Sequence, residues 1–451
     1  MFERSAISSL RRWAAKKERK PLILRGARQV GKTTLVRQFA EEFEVFIELN
    51  LEDSGDAMLF RGSQSFDDLL LGIYAKSGVR RTDRRTLIFI DEIQAVPEAV
   101  QSLRFFFERG GSNVYVIAAG SLLESLIGNH ISFPVGRVEY MSLHPCTFTE
   151  FLGALGEREM AEQVASLGVP SSLHATLMDL FKKYMIVGGL PEAVACYADS
   201  RDWVALDDVF RALLTGYKDD IEKYGKDGRQ QHILRYILNY GWALAGQRFQ
   251  FAKFANQAYK SAEMADAFRT LEKTLLLELV YPLISASHPV IPDTKRSPKL
   301  LWLDTGLVNF VAGMKEELIF SQATDELWNG EIAEQAVAQE LLGATTVFGE
   351  RRMFWVRDAR NSQAEVDFVL QHGSHLLPLE VKTGDNSKLR SLHLFMEESK
   401  EKVALRLWNG PMTSDTVTLP SGKEYTLYNL PLYYAGHTAA FLARIDGRTG
   451  C

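Results

Sequence analysis

Eight residues near the start of the chain have the types and spacing of a phosphate-binding loop. They run Gly26-Ala27-Arg28-Gln29-Val30-Gly31-Lys32-Thr33 and are followed by Thr34. In this spacing the glycines let backbone N–H groups turn toward a β-phosphate, and the start of the next helix adds its positive dipole. Lys32 would reach the β- and γ-phosphates, and the Thr33 hydroxyl would hold Mg²⁺. The motif therefore predicts a site for ATP and Mg²⁺.

An acidic pair further along the chain supplies the carboxylates that ATP hydrolysis needs. Asp91 and Glu92 directly follow the apolar run Thr86-Leu87-Ile88-Phe89-Ile90, which is typical of a buried parallel strand. The carboxyl ends of such strands carry ligand chemistry, so Asp91 is expected to accept Mg²⁺ or its water shell. Glu92 is expected to polarise the attacking water.

Two further residues are candidates for contact with the transferred phosphate. Ser121 follows the apolar run Val114 to Ala119, and there it could sense the γ-phosphate or the water. It could equally cap the next helix, and the two roles are compatible. Arg137, after Gly136, is the candidate transition-state arginine, on its own nucleotide or on a neighbour's. An ordinary salt bridge is the alternative.

The elements around these residues indicate an α/β fold. The run Pro21 to Leu24 predicts a strand before the loop, and Leu35, Val36 and Phe39 predict a helix after it. We expect a P-loop ATPase core of the AAA+ kind with a parallel sheet over residues 1–152. A helical lid is expected over 153–230, because Leu177, Leu180, Phe181 and Tyr184 are spaced for one buried stripe.

A winged helix is predicted over residues 231–315. The pattern gives helices at 233–245, 251–258 and 261–273, then strands at 275–283 and 300–303 around the basic segment 295–299. The third helix presents the cations Lys260, Arg269 and Lys273. These suit a DNA backbone, whereas the carboxylates Glu263, Asp266 and Glu272 of the same helix would repel phosphate. Both DNA binding and a protein-docking or spacer role stay open.

A second acidic constellation lies near the C-terminus. Glu334 lies in the amphipathic helix predicted at 330–342, and the strands predicted at 365–370 and 377–382 carry Asp367, Glu380 and Lys382. Strand alternation allows these three to share one face. A metal-dependent phosphodiesterase needs such carboxylates to hold Mg²⁺ or Mn²⁺ and a lysine to activate water. The alternative is the exposed charged face of an ordinary hairpin.

In order along the chain, these motifs resemble the bacterial and archaeal AAA+-like ATPases with a C-terminal region similar to restriction endonucleases. The matching stretches are 24–34, 89–94, Gly120-Ser121, Gly136-Arg137 leading to Pro145 and Phe151, Gly188 to Glu192, and Leu303 to Leu307. The resemblance implies an AAA+-type core with a helical lid, a winged helix, and a restriction-endonuclease-like α/β domain at 316–451. It implies that Asp367, Glu380 and Lys382 stand at the PD-(D/E)XK catalytic positions, with Glu334 as the acid on the helix. Cleavage is a separate question, because nuclease-like folds also serve as binding platforms.

Composition bounds the function further. The chain has 451 residues, a formal net charge of -5 and three widely separated cysteines, Cys146, Cys196 and Cys451. We therefore expect several domains, no global basic field for nucleic acid, and a reducing cytoplasmic setting with no secretory signal or membrane span.

The leading hypothesis is a Mg²⁺-dependent ATPase acting on DNA. The rival is a nucleotide-switched signalling or scaffold ATPase that binds a protein partner. Homo-oligomerisation depends on whether Arg137 acts in trans.

Overall fold

A five-stranded parallel sheet forms the first third of the protein, because its strands are short and apolar enough to be covered on both faces. In the computed structural model, residues 2–120, 134, 136–256, 258–315, 319, 330–359, 362–383 and 389–447 are described. The strands are β1 (Leu22–Arg25), β2 (Val45–Asn50), β3 (Thr86–Asp91), β4 (Val114–Gly120) and β5 (Glu139–Ser142). Their order in the sheet is β2-β3-β4-β1-β5, so β4 separates the strand of the phosphate-binding loop from the strand of Asp91.

Helices cover both faces of this sheet. They are α1 (Ala6–Ala14), α2 (Lys32–Ala40), α3 (Ser54–Gly62), α4 (Phe66–Lys76) and α5 (Pro97–Arg109), with a 3-10 turn at Ile93–Ala95. One face packs α3, α4 and α5 over Ile88 and Ile90, and the other packs α1 and α2 over Leu87 and Phe89. The sheet therefore has a buried core on each side, as its uninterrupted apolar strands predict.

The middle of the chain is helical. Its helices are α6 (Phe148–Ala154), α7 (Arg158–Ala165), α8 (His174–Val187), α9 (Pro191–Ser200), α10 (Trp203–Asp219), α11 (Ile221–Tyr224) and α12 (Gly228–Tyr240), with a 3-10 turn at Ser171–Leu173. The expected stripe on α8 is present, since Leu177, Phe181 and Tyr184 are buried and Leu180 is half-buried. The helices α6 and α12 each cross a domain boundary expected from the sequence, at 152 and 230.

The segment expected to be a winged helix departs from its pattern in two places. It contains α12, 3-10 turns at Gly241–Leu244 and Phe251–Asn256, α13 (Ser261–Lys273), β6 (Leu277–Val280), β7 (Pro282–Leu283) and β8 (Lys299–Trp302). The middle expected helix, 251–258, is thus only a 3-10 turn. The expected strand 275–283 is split, because β6 pairs with β8 whereas β7 joins a sheet with β9.

Two sheets, four α-helices and one 3-10 turn are found in the described part of the remaining chain. The elements are α14 (Thr305–Val311), α15 (Gly330–Gly343), β9 (Phe354–Ala359), β10 (Ser362–Val366), β11 (Phe368–His372), β12 (His375–Lys382), α16 (Arg390–Glu398), β13 (Val403–Trp408), β14 (Thr413–Thr418), β15 (Glu424–Pro431), a 3-10 turn at Leu432–His437 and α17 (Thr438–Ile445). The larger sheet is mixed, with the order β11-β12-β13-β15-β14, and the smaller has the order β10-β9-β7. Over the described residues, no helix is long and apolar enough to cross a bilayer.

Buried polar contacts join these parts behind the phosphate-binding loop. The carboxylate of Asp304 accepts the backbone N–H of Gly189 at 2.6 Å and that of Leu307 at 2.9 Å. In turn, the carbonyl of Gly189 accepts the N–H of Cys146 at 2.6 Å. Glu340 on α15 accepts the N–H of Phe148 at 2.7 Å. Segments far apart in sequence therefore meet at backbone groups, where no side chain can be inserted between them.

Gly189 gives a direct test of this close packing. A Cβ at Gly189 would clash with the carbonyl oxygen of Cys146 and lie 2.7 Å from the Gln339 amide nitrogen. We expect Gly189→Ala to lower the free energy of unfolding by about 2 kcal/mol or more, because backbone must move. The matched control is Gly216→Ala on α10, where a Cβ meets nothing within 4 Å. That change should be stabilising by about 0.5–1 kcal/mol. Urea unfolding of both variants makes the measurement, and equal midpoints would contradict the packing argument.

Candidate functional site

The phosphate-binding loop leaves β1 and enters α2 in a conformation that only glycine allows at two points. A Cβ on Gly26 would lie 2.5 Å from the carbonyl oxygen of Leu143. Gly31 has a φ of 89° and a Cβ there would lie 3.3 Å from the ring of Pro191, at the start of α9. The loop is therefore pressed between the end of β5 and the helical middle of the chain, and its glycines are needed for space as well as for dihedral angles.

Lys32 lies inside the loop. Its ammonium donates to the carbonyls of Gly26 at 2.9 Å and Ala27 at 2.8 Å, and the residue is buried. Burial, with a smaller contribution from nearby Arg28, lowers the pKa of Lys32 against the opposing effect of Glu92 and Asp91, and the net value is about 8. A triphosphate placed in the loop would exchange these carbonyl bonds for phosphate oxygens, so Lys32 is held close to where it is needed.

Thr33 and Asp91 lie together at the carboxyl edge of the sheet. The Thr33 hydroxyl donates to one carboxylate oxygen of Asp91 at 2.7 Å, although 57 residues lie between them in the chain. The other oxygen of Asp91 accepts the backbone N–H of Glu92 at 3.0 Å. A hydroxyl and a carboxylate oxygen in contact are hard oxygen donors of the kind Mg²⁺ prefers. These two residues fit a magnesium ion.

Glu92 adopts a left-handed backbone conformation, with a φ of 49°. Its carboxylate accepts a hydrogen bond from the Gln94 side chain. Burial raises the pKa of Glu92, and the Gln94 bond acts against that shift. A non-glycine residue at positive φ is strained, and such strain is found where a side chain must be aimed at a site. Glu92 interacts electrostatically with Lys32 of the loop, and its raised pKa suits a general base.

Three contacts around the loop had no signal in the sequence. Arg28, at the top of the loop, pairs with the buried carboxylate of Asp220, at the junction of α10 and α11. The Tyr217 hydroxyl donates to the Arg28 carbonyl at 3.2 Å. From the other side, Arg4 donates to the Val30 carbonyl at 3.1 Å. The loop is therefore bonded both to the segment expected to be the lid and to the N-terminal segment before α1.

The sequence also predicted Ser121 and Arg137 at this site, and neither is placed there by the described residues. Ser121 lies outside the described residues; Gly120 before it ends β4 beside Arg25 in register. Arg137 precedes β5, and its guanidinium pairs with Glu108 at 3.1 Å. That position is the amino edge of the parallel sheet, whereas the phosphate-binding loop lies at the carboxyl edge. In this structure the sheet lies between Arg137 and the loop of its own chain, and its role as a transition-state arginine stays a prediction.

The structure brings the four C-terminal candidates together. Asp367 lies in a bend between β10 and β11, and its carboxylate accepts the N–H of Val381 at 2.7 Å. Glu380 and Lys382 project from the same face of β12 and pair at 2.7 Å. Glu334 on α15 lies near enough to Asp367 for the two carboxyl groups to interact electrostatically. Burial and the neighbouring Asp367 raise the pKa of both Glu334 and Glu380. The exposed charged hairpin is therefore wrong as an account of these residues.

Lys299 enters this acidic cluster from β8. It is 1% exposed, and its ammonium lies 2.6 Å from Glu334 and 3.0 Å from Glu365. Lys299 ends the basic segment 295–299, but it is buried because β8 packs against α15. One oxygen of Glu380 is buried and accepts no hydrogen bond within the described part of the chain. Over that same part, no three acidic, histidine or cysteine side chains are arranged to hold a metal. The cluster as it stands does not fit a divalent cation.

The cations of α13 face solvent. Lys260, Arg269 and Lys273 are all exposed. The carboxylates on the same helix are engaged by α12 and its neighbourhood, since Glu263 pairs with Arg229 at 2.6 Å and Asp266 pairs with Lys226 at 3.4 Å. The repulsion that these acids would exert on phosphate is thereby reduced.

Comparison with family models gives three matches along the chain. Residues 18–152 match an AAA domain, residues 178–318 match a domain of unknown function (DUF8612), and residues 329–427 match another domain of unknown function (DUF4143). No protein of curated function matches the sequence. The stretch that matches the AAA domain contains the loop, Asp91 and Glu92, and its parallel sheet is that of a P-loop ATPase fold.

Three solved structures are similar to parts of the chain. The Walker-type ATPase PABY2304 of Pyrococcus abyssi is 14% identical with a TM-score of 0.45, over 69% of this chain and 96% of that one. PCH-2 of C. elegans is 13% identical with a TM-score of 0.24, over 60% and 69%. The Pif1 helicase from Bacteroides, in complex with ADP-AlF3 and ssDNA, is 17% identical with a TM-score of 0.23, over 41% and 50%.

The lowered pKa of Lys32 predicts a pH dependence for nucleotide binding. Below pH 8 the free protein already carries the charged ammonium, whose pKa is about 8. Above that pH the ammonium is neutral, and binding a triphosphate must take up a proton. The Kd for ATP should then rise by up to about tenfold per pH unit. Calorimetry at pH 7 and 9, in buffers of different ionisation enthalpy, measures the proton uptake.

Lys32→Arg is the control for that titration, because a guanidinium stays charged throughout this range. Whatever its affinity, the arginine variant should take up no proton between pH 7 and 9. Equal proton uptake by the two proteins would show that another group titrates.

Proposed function

We propose that this P-loop ATPase is Mg²⁺-dependent and acts on DNA, with hydrolysis at Lys32, Thr33, Asp91 and Glu92. The observation that carries the ATPase part is the contact of the Thr33 hydroxyl with the Asp91 carboxylate at 2.7 Å, one residue from the buried ammonium of Lys32. The backbone of 26–31 and the side chain of Thr34 complete the nucleotide-binding loop. Bound magnesium would neutralise charge that develops on the phosphates.

Each residue then has one task. Thr33 and Asp91 hold the metal, and Lys32 leaves the carbonyls of Gly26 and Ala27 for the β- and γ-phosphates. Glu92 takes a proton from the attacking water, a role that its burial and raised pKa support. The triphosphate also offers Arg28 a partner that competes with Asp220. Loss of that ion pair would free the segment around α10 and α11 to move, which gives hydrolysis a mechanical effect.

A concentrated basic surface favours DNA as the target. We call it the basic face, and it consists of residues 11–20 and 80–85. These two segments carry ten lysines and arginines against two acids, although the whole chain has a net charge of -5. They meet because the guanidinium groups of Arg19 and Arg85 lie 3.4 and 5.3 Å from the ring centroid of Tyr115. A local basic patch of this kind is the electrostatic footprint of phosphate-backbone binding.

The basic face lies at the amino edge of the parallel sheet, because its two segments directly precede β1 and β3. The nucleotide site lies at the opposite edge. DNA held there would not compete with ATP for the phosphate-binding loop. The exposed cations of α13 form a second, smaller surface for the same backbone.

The rival function is a nucleotide-switched scaffold that binds a protein. It would use the same ATP site and the same switch at Arg28, and an acidic protein surface would replace DNA on the basic face. The two functions differ in what changes turnover. DNA cleavage by the C-terminal cluster is not included in this proposal, because Lys299 lies within that cluster.

Substitutions in the nucleotide site test the ATPase mechanism. Lys32→Ala should abolish ATP binding and turnover. Glu92→Gln should keep binding, because the amide has the same shape, and slow turnover by about 10²–10⁴-fold because it cannot accept the water's proton. Glu98→Gln, an exposed acid at the start of α5, is the control and should hydrolyse ATP normally. Phosphate release under saturating ATP is the measurement. Wild-type turnover by Glu92→Gln would exclude Glu92 as the base.

DNA dependence tests the rest of the proposal. Duplex, single-stranded or branched DNA should raise ATP turnover, and binding should weaken steeply with salt. Arg81→Glu with Arg84→Glu should lower affinity and reduce the salt slope by about two, since each removes one phosphate contact. Lys260→Glu with Lys273→Glu tests α13 in the same way. Lys400→Glu with Lys402→Glu reverses two exposed charges elsewhere and should change nothing.

The outcomes separate the two functions. Unchanged turnover with every DNA and no DNA retention at low salt would exclude DNA and favour the protein partner. If DNA still stimulates ATP turnover after both the basic-face and the α13 substitutions, DNA is the target but it binds to neither of these two surfaces.

A further inference from the structure

A buried lysine lies among the carboxylates of the C-terminal cluster. Lys299 belongs to β8, in a part of the chain that precedes the cluster's own elements, and its side chain is 1% exposed. Its ammonium donates to Glu334 at 2.6 Å and pairs with Glu365 at 3.0 Å. It also lies 4.9 Å from the ring centroid of Phe354 and 5.8 Å from that of Phe368. Water has no place around this charge.

The position of Lys299 is fixed by a second contact next to it. On α15, Gln335 follows Glu334 and bonds the backbone of Trp302 on β8 in both directions, accepting its N–H at 2.9 Å and donating to its carbonyl at 2.7 Å. Trp302 is itself stacked on Trp242, with centroids 3.8 Å apart. The strand that carries Lys299 is thus docked on the helix that carries Glu334.

The charges of the cluster are almost balanced by the chain itself. Its carboxyl groups are Glu334, Glu365, Asp367 and Glu380. Against these stand Lys299, Lys382 on Glu380 at 2.7 Å, and Arg248, which lies 3.5 Å from Glu365. Four carboxylates facing three cations leave one negative charge. A divalent cation added to this set would be in excess and would meet the ammonium of Lys299 at Glu334.

A divalent cation needs several carboxylate oxygens free of competing positive charge. Only Asp367 and Glu380 lack a contact with Lys299, and Glu380 is already paired with Lys382. Asp367 and Glu380 alone would bind a metal weakly, because Glu380 is paired with Lys382. Glu334 would be the third ligand, but it is paired with Lys299. Removing Lys299 would release that ligand and leave unpaired charge in a buried place.

We propose that Lys299 is a built-in cation that holds the acidic cluster closed to metal. With β8 docked, the cluster is an ion-pair junction between β8 and the C-terminal sheets. With β8 withdrawn, Glu334, Asp367 and Glu380 become a carboxylate site for Mg²⁺ or Mn²⁺. The position of the small sheet of β6 and β8 therefore decides whether this site exists. The inference does not depend on ATP hydrolysis or on DNA.

Metal binding by the full chain without nucleotide tests the proposal. Free Mn²⁺ is followed by electron paramagnetic resonance, and thermal unfolding is followed with and without Mn²⁺. The wild type and Asp367→Asn should behave alike, because the cluster binds no metal in either. Lys299→Met should bind one further Mn²⁺ per chain and unfold at a higher temperature when Mn²⁺ is present. Lys299→Met with Asp367→Asn should lose both effects.

Lys382→Met is the matched control, since it removes the other lysine of the cluster and leaves Lys299 on Glu334. It should bind no additional Mn²⁺, and binding equal to that of Lys299→Met would show that general charge removal is enough. Wild-type binding of Mn²⁺ that disappears in Asp367→Asn would overturn the proposal outright. That comparison needs no lysine variant, so it decides the matter even where Lys299→Met does not fold.

Discussion

The phosphate-binding loop depends on buried carboxylates that hold the chain behind it. Glu150 accepts the backbone N–H of Ser5 at 2.7 Å and pairs with Arg4 at 3.1 Å, and Arg4 in turn supports the Val30 carbonyl of the loop. Asp304 holds the Gly189 segment, whose neighbour Pro191 presses on Gly31. A carboxylate is costly to bury alone, but several backbone N–H donors repay its lost hydration. These groups therefore fix the loop from behind and leave its open side to the nucleotide.

Burial is visible in the acid–base character of the same groups. It raises the pKa of Asp304 to about 6 and that of Glu340 to about 7, against the backbone N–H donors that favour the charged forms. The folded state thus holds protons on these carboxyls at a pH where the unfolded chain has released them. Stability from this source is present at low pH and falls as pH rises through those values.

The sequence predicted what is encoded by local spacing. The loop, Asp91, Glu92 and the pairing of Glu380 with Lys382 all follow from motif and strand periodicity. Arg4, Asp220 and Lys299 could not be found in that way, because each partner lies in a distant segment and ion pairs have no preferred separation along the chain. Lys299 shows the reason most clearly: its neighbours Lys295 and Arg296 are ordinary basic residues of a loop, and only the docking of β8 on α15 makes it a buried cation. The strand expected at 275–283 is split for the same reason, because β7 pairs with β9, which lies far from it in the sequence.

Helix α15 connects the two charged sites, which differ in kind. At one point it offers Glu340 and Gln339 to the helical middle, where Gln339 accepts the N–H of Thr305 at 2.7 Å beside the Asp304 junction. Five residues before Gln339, it offers Glu334 to the acidic cluster. A helix is stiff over this length, so a displacement of the segments behind the loop would also move Glu334. The nucleotide site keeps its ligands open at one edge of its sheet, whereas the cluster is neutralised from within. A change that begins at the open site therefore has a physical route to the closed one through α15.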